Sequence, residues 1–139
     1  MDPAFELFDH TADMGIRVRA ASLPELLAPA RDGLYAVIGD LQATGPSEPV
    51  FLDLTGEDAA GLLRDYLAEV LTVFDRDARI VTAVDAATFT QHHLTATLIT
   101  AKLDNDRSAL HREVKAITYH GLDVYSIPDG YEATLIVDI

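Results

Sequence analysis

Two short segments hold the residues best placed to do chemistry. Near the start stands Asp9-His10-Thr11-Ala12-Asp13-Met14-Gly15, and the sequence finishes on Val137-Asp138-Ile139. A strand ending at Ile139 sets the Asp138 side chain beside the terminal carboxylate. If the strand following the first segment lies alongside, Asp13 brings a third carboxylate to the same spot. Carboxylates gathered in this way repel one another and favour protonation unless a cation neutralises them. Oxygen-only donor sets suit hard divalent ions such as Mg²⁺, Ca²⁺ or Mn²⁺. Spacing alone leaves a plainer role open. A turn aspartate also bonds local backbone amides, and an aspartate near a chain end ordinarily faces solvent.

Other candidates are weaker. The five histidines, at 10, 92, 93, 111 and 120, show no helical H-x-x-x-H pair, and there is no cysteine to complete a zinc site. His10 and His120 each flank a strand end near a carboxylate or a glycine. Either could act as a base or touch a partner, although a histidine in such a place commonly bonds neighbouring backbone. Lys115 falls in an alternating run, residues 113–120, that sets Glu113, Lys115, Ile117 and Tyr119 on one strand face. That arrangement suits a phosphate or interface contact, or a cross-strand ion pair. No glycine-rich phosphate loop, G-x-S-x-G elbow or dinucleotide fingerprint is present.

The elements that must position these groups follow from periodicity. Residues 5–9 and 14–19 alternate as strands around a polar turn at 10–13. Ser22, Pro24 and Glu25 resemble a capping box opening a first helix, which Gly39 ends. Residues 42–49 read as a loop and 50–54 as a short strand. Thr55 to Asp58 opens a second helix whose Leu62, Leu63, Tyr66, Leu67, Val70, Leu71 and Phe74 form a wide apolar stripe. Beyond Asp77 the period becomes two. Strands are expected at 79–90, 92–103, 113–119, 122–127 and 131–139, with turns at 104–106, 120–121 and 128–130. The expected architecture is a single α+β domain over residues 1–139, two helices covering a mainly antiparallel sheet.

Composition narrows the function. The 139 residues carry 23 Asp and Glu against 10 Lys and Arg, a formal charge of −13. Nucleic-acid binding needs a basic face to displace counterions, so direct RNA or DNA binding is disfavoured. Such a surface could attract a basic protein partner or concentrate cations, and the plainer reading is that it keeps the protein in solution. No apolar run reaches the ~20 residues that span a bilayer, and no secretory leader is visible. A cytoplasmic protein is therefore expected.

At this point three motifs converge. Residues 8–16, Phe-Asp-His-Thr-Ala-Asp-Met-Gly-Ile, resemble the N-terminal signature of the archease family. Residues 113–124, Glu-Val-Lys-Ala-Ile-Thr-Tyr-His-Gly-Leu-Asp-Val, resemble its second signature, and the closing Val137-Asp138-Ile139 resembles its C-terminus. Residues 65–75 are similar to its central helix. Asp9 stands where glutamate is common, Met14 replaces a branched aliphatic, and Gly121 replaces a longer polar residue. The resemblance implies an accessory protein, not itself an enzyme, that assists an RtcB-type RNA ligase in tRNA splicing and RNA repair. It would promote guanylylation of the ligase and repeated turnover, and meet RNA only through that ligase. The implied metal ligands are Asp13, Asp138 and Ile139, the last through main-chain oxygen, for a divalent ion such as calcium, magnesium or manganese. His10, Lys115 and His120 are the expected partner or substrate contacts. Two other classes compete with this expectation: a general chaperone or adaptor, and a metal-dependent hydrolase acting without a ligase.

Overall fold

Along residues 13–20 the side chains divide between two faces. Ile16, Val18 and Ala20 are fully buried, while Arg17 is half-buried and Arg19 exposed. This is strand β2 (Asp13–Ala20), and its buried face fixes its register against both neighbours. On one side lies β1 (Ala4–His10), antiparallel, with Ala4 opposite Arg19 and His10 opposite Asp13. On the other lies β10 (Gly130–Asp138), also antiparallel, with Tyr131 opposite Ala20 and Asp138 opposite Asp13. The computed structural model describes residues 1–10 and 12–139, and the side chains of His10 and Ala87 lie outside the description.

Two further strands, β8 (Ala116–Ile117) and β9 (Asp123–Ile127), pair with β10 and complete a five-stranded sheet. A second, three-stranded sheet has the order β4 (Ala43–Thr55), β6 (His93–Leu103), β5 (Arg79–Phe89). A two-residue ladder joins β3 (Gly39–Asp40) to β7 (Ala109–Leu110). All pairings among the described residues are antiparallel.

Between the two larger sheets run α1 (Leu27–Ile38), entered through a 3₁₀ turn at Pro24–Leu26, and α2 (Ala59–Asp77). Each helix touches the other and both sheets. That position explains why α2 buries Leu62, Leu63, Tyr66, Leu67, Val70, Leu71 and Val73 together. The second helix starts as expected, whereas the first is entered through the 3₁₀ turn and has no side-chain cap of its own. Ser22 exchanges hydrogen bonds with Glu25, and Asp58 caps α2 by accepting from the Gly61 N–H at 2.7 Å. Two tyrosines tie the layers together. Tyr66 donates its hydroxyl to Leu27 O at 2.8 Å, and Tyr35 accepts the Val81 N–H at 2.7 Å, where β5 is bulged.

Two expectations from sequence are corrected. Residues 42–49 are not a loop, because β4 begins at Ala43 and runs through Pro46 and Pro49. It is an edge strand, the place in a sheet where prolines are tolerated. A bulge between Thr44 and Glu48 absorbs the irregular residues, and the buried Thr100 hydroxyl bonds Glu48 O at 3.0 Å across it. Residues 113–119 are not a continuous strand either. Only Ala116 and Ile117 pair, and burial falls on Val114 and Ile117, three apart, so the alternation of Glu113, Lys115, Ile117 and Tyr119 is not realised.

Burial pushes the Tyr35 hydroxyl up to about 12, and Tyr66 rises for the same reason. A tyrosine that holds its proton more tightly when folded leaves stability intact below pH ~10 and drains it above, by about 1.4 kcal/mol per pH unit for each such group. Unfolding at pH 9 to 12 should show this fall, and Tyr35→Phe should make it shallower; an unchanged slope would contradict the buried assignment. Ala78, which ends α2, sits at φ 52°, in the left-handed region. Ala78→Gly should raise stability by about 1 kcal/mol in urea denaturation, because only glycine enters that region without cost. A loss of stability would contradict that conformation.

Candidate functional site

The face of β2 turned away from the helices carries Arg19, Arg17, Gly15 and Asp13 in succession. Each stands opposite a residue of β1 or β10 whose chemistry is legible. Arg19 faces Glu132, with Nε 2.6 Å from the carboxylate. Arg17 faces Glu6 and pairs with it. Gly15 faces Phe8, whose ring occupies the space a Cβ would need and receives the Arg17 guanidinium 4.6 Å from its centroid. At the last position Asp13 stands between Asp138 on β10 and His10 on β1.

Directly opposed residues of an antiparallel pair hold their Cβ atoms about 4.5–5.5 Å apart, and like charges there are destabilising. Both aspartates are half-buried. Asp13 also makes a polar contact of its own. The donor set suits a hard cation: two carboxylates on one face, with the main-chain oxygens of Ile139 one residue beyond. No group of three or more His, Cys, Asp and Glu side chains clusters among the described residues. Any ion held here would therefore draw the rest of its coordination from main-chain oxygen and water.

The remaining expected residues fall around the same end of the sheet. Lys115 donates its main-chain N–H to Asp138 O at 2.7 Å and leaves its side chain exposed. His120 is exposed, and its N–H bonds the Thr118 hydroxyl at 3.2 Å. His10 is the register partner of Asp13, but the role expected of its side chain, like Thr11 of the first signature, lies outside the described residues. Gly121 stands at φ 59° with Ile136 Cγ1 3.6 Å from where its Cβ would be. The turn thus folds onto the sheet beside Asp138, in a conformation that a longer side chain would strain.

Two residues that sequence patterning passes over shape this end. Arg64 reaches from α2 to Ile117 O at 2.9 Å and lies 4.4 Å from the centroid of the Tyr119 ring. Thr118 bonds Ile136 O through both its N–H and its hydroxyl, each at 2.9 Å. Arg64 sits among the polar residues of an amphipathic helix, and a threonine just after a short strand is commonplace, so neither gives a signal by type or spacing.

Comparison with known proteins identifies the family and the fold. The model of the Archease protein family (MTH1598/TM1083) matches residues 5–139. The protein archease of Pyrococcus abyssi is 32% identical over 139 residues, covering 97% of this chain and 98% of its own. That of Methanopyrus kandleri is 31% identical over 138 residues, covering 97% and 99%. The solution structure of Methanobacterium thermoautotrophicum protein 1598 superposes with a TM-score of 0.74 at 27% identity, over 98% of this chain and 99% of that one. A crystal structure from Thermotoga maritima, described as an archease and possible chaperone, gives the same TM-score of 0.74 at 18% identity and shares the fold. The chain belongs to the archease family.

Proposed function

We propose that this protein is an accessory activator of an RtcB-type RNA ligase, presenting a divalent-cation site at Asp13, Asp138 and the main-chain oxygens of Ile139. Family membership supports the partner class. The observation that carries the site is the change along the outward face of β2, where Arg19 meets Glu132 and Arg17 meets Glu6, but Asp13 meets Asp138. Two carboxylates set opposite each other at the end of that face are a donor pair suited to a hard cation.

The carboxylates bind and orient, and the strand ladder keeps them from spreading apart. Lys115, with its exposed ammonium one residue from the β8–β10 pairing, supplies a contact to the ligase or to phosphate held by it, and His10 and His120 extend that contact surface. When bound, a divalent ion supplies neutralisation of the charge that develops on a phosphate under attack. The protein's own charge of −13 suits docking on a partner made basic by its need to hold RNA. RNA is then met through the ligase, in tRNA splicing or RNA repair, and this chain performs no chemistry alone. No helix among the described residues is long and apolar enough to cross a membrane, and we place the protein's work in the cytoplasm.

The competing reading, a general chaperone or adaptor, finds support in exposed apolar groups such as Phe51, 76% accessible on β4. The two readings separate in one preparation. Ligase guanylylation should be stimulated by substoichiometric wild-type protein. Asp13→Ala and Asp138→Ala should each abolish the stimulation, at least tenfold, while melting within a few degrees of wild type. Suppression of aggregation of an unrelated client should be absent. Full stimulation by both variants would refute the cation site, and client protection without ligase stimulation would favour the chaperone.

A further inference from the structure

The end of β10 that presents Asp138 has β2 on one flank and only a two-residue partner, β8, on the other. Strand ends fray when their ladder is this short. Beyond the paired residues, the segment around β8 adds two main-chain bonds to β10: Lys115 N–H to Asp138 O at 2.7 Å and Thr118 N–H to Ile136 O at 2.9 Å. The Thr118 hydroxyl adds a third, to the same Ile136 oxygen, at 2.9 Å. It also accepts the His120 N–H at 3.2 Å, which turns the chain out of the strand and towards Gly121. One half-buried hydroxyl therefore both stops β8 and fastens it to β10 two residues before Asp138.

We infer that Thr118 is a positioning residue for the cation site, holding the end of β10 so that Asp138 stays opposite Asp13. The inference rests on the reading of those aspartates as cation ligands given above. Thr118 contributes no ligand itself. Its hydroxyl works through Ile136 O, and the same segment is anchored to α2 by Arg64 on the adjacent Ile117 O at 2.9 Å. Cation sites demand donor placement within about half an ångström, which residues behind the ligands provide. Replacing such supports typically weakens metal binding about 10- to 100-fold.

Thr118→Val is a mild test of the fold. Ile136 O keeps the backbone N–H of residue 118, and His120 is exposed, so its N–H turns to water. Calorimetric titration of the purified protein with MnCl₂ would compare wild type, Thr118→Val, Thr118→Ser, Asp138→Asn and Thr72→Val. The last removes a hydroxyl that donates to Ala68 O on the exposed side of α2, far along the chain from the site. Thr118→Val should weaken Mn²⁺ binding about tenfold, Thr118→Ser should restore it, and Thr72→Val should leave it unchanged. Amide exchange at Lys115 and Asp138 should quicken in Thr118→Val alone. Should valine at 118 destabilise the fold, Thr118→Ala, which lacks the hydroxyl without adding a buried methyl, takes its place with the same expected tenfold loss and the same overturning result. Wild-type affinity in a folded Thr118→Val, alongside loss in Asp138→Asn, overturns this inference and leaves the site standing. Equal affinity in wild type and Asp138→Asn overturns the cation site and this inference with it.

Discussion

The antiparallel register between β2 and β10 is the constraint from which the rest follows. Side chains alternate along a strand, so one register sets both faces at once. On the inner face it brings Ile16, Val18 and Ala20 together with Ala133, Leu135 and Val137, all fully buried or nearly so. On the outer face the same register places Arg19 opposite Glu132 and Asp13 opposite Asp138. A slip of one residue would drive two carboxylates into the core and expose the branched aliphatics. Burial of each of those side chains is worth roughly 1.5–3 kcal/mol, far more than facing aspartates cost at a surface. Core packing thus imposes the facing of Asp13 and Asp138.

The rest of the architecture supports that strip of sheet. Both helices lie on its inner side, and Gly33 of α1 lets the helix approach Ile16 so closely that a Cβ there would collide with its Cγ2. On the outer side, Ile136 is buried although it points away from the helices. The turn carrying Gly121 folds onto it, which brings residues 113–124 beside residues 8–16. Arg64 connects that turn to α2 through Ile117 O and the Tyr119 ring. The segment beside Asp138 is therefore tied to α2.

Much of the fold was legible in sequence for reasons that the structure makes plain. The stripe from Leu62 to Phe74 is long and regular, and residues 93–100 alternate cleanly because that strand has one buried face. What escaped had weaker physical signals. Pro46 and Pro49 argue against a strand unless it is known to be an edge, and edge status is a property of the whole sheet. The pairing of Gly39 and Asp40 with Ala109 and Leu110 spans too few residues for any period. Residues 113–119 alternate in type, yet tertiary contacts take them elsewhere, with Arg64 and Ile136 competing for their backbone. For the site, the residue types at 13 and 138 spoke for oxygen ligation, but their meeting came from a resemblance and not from spacing. Only the strand order β1-β2-β10 places the first and last segments side by side.

The most direct measurement of the central claim is the location of a bound ion on the isolated protein. Mn²⁺ added in small amounts broadens the amide resonances of residues near it. The account predicts broadening centred on Asp13, Met14, Lys115, Ala116 and Asp138, one patch assembled from three separate stretches of chain. Broadening spread evenly over the acidic surface, or centred on another acidic stretch such as residues 104–106, would contradict it.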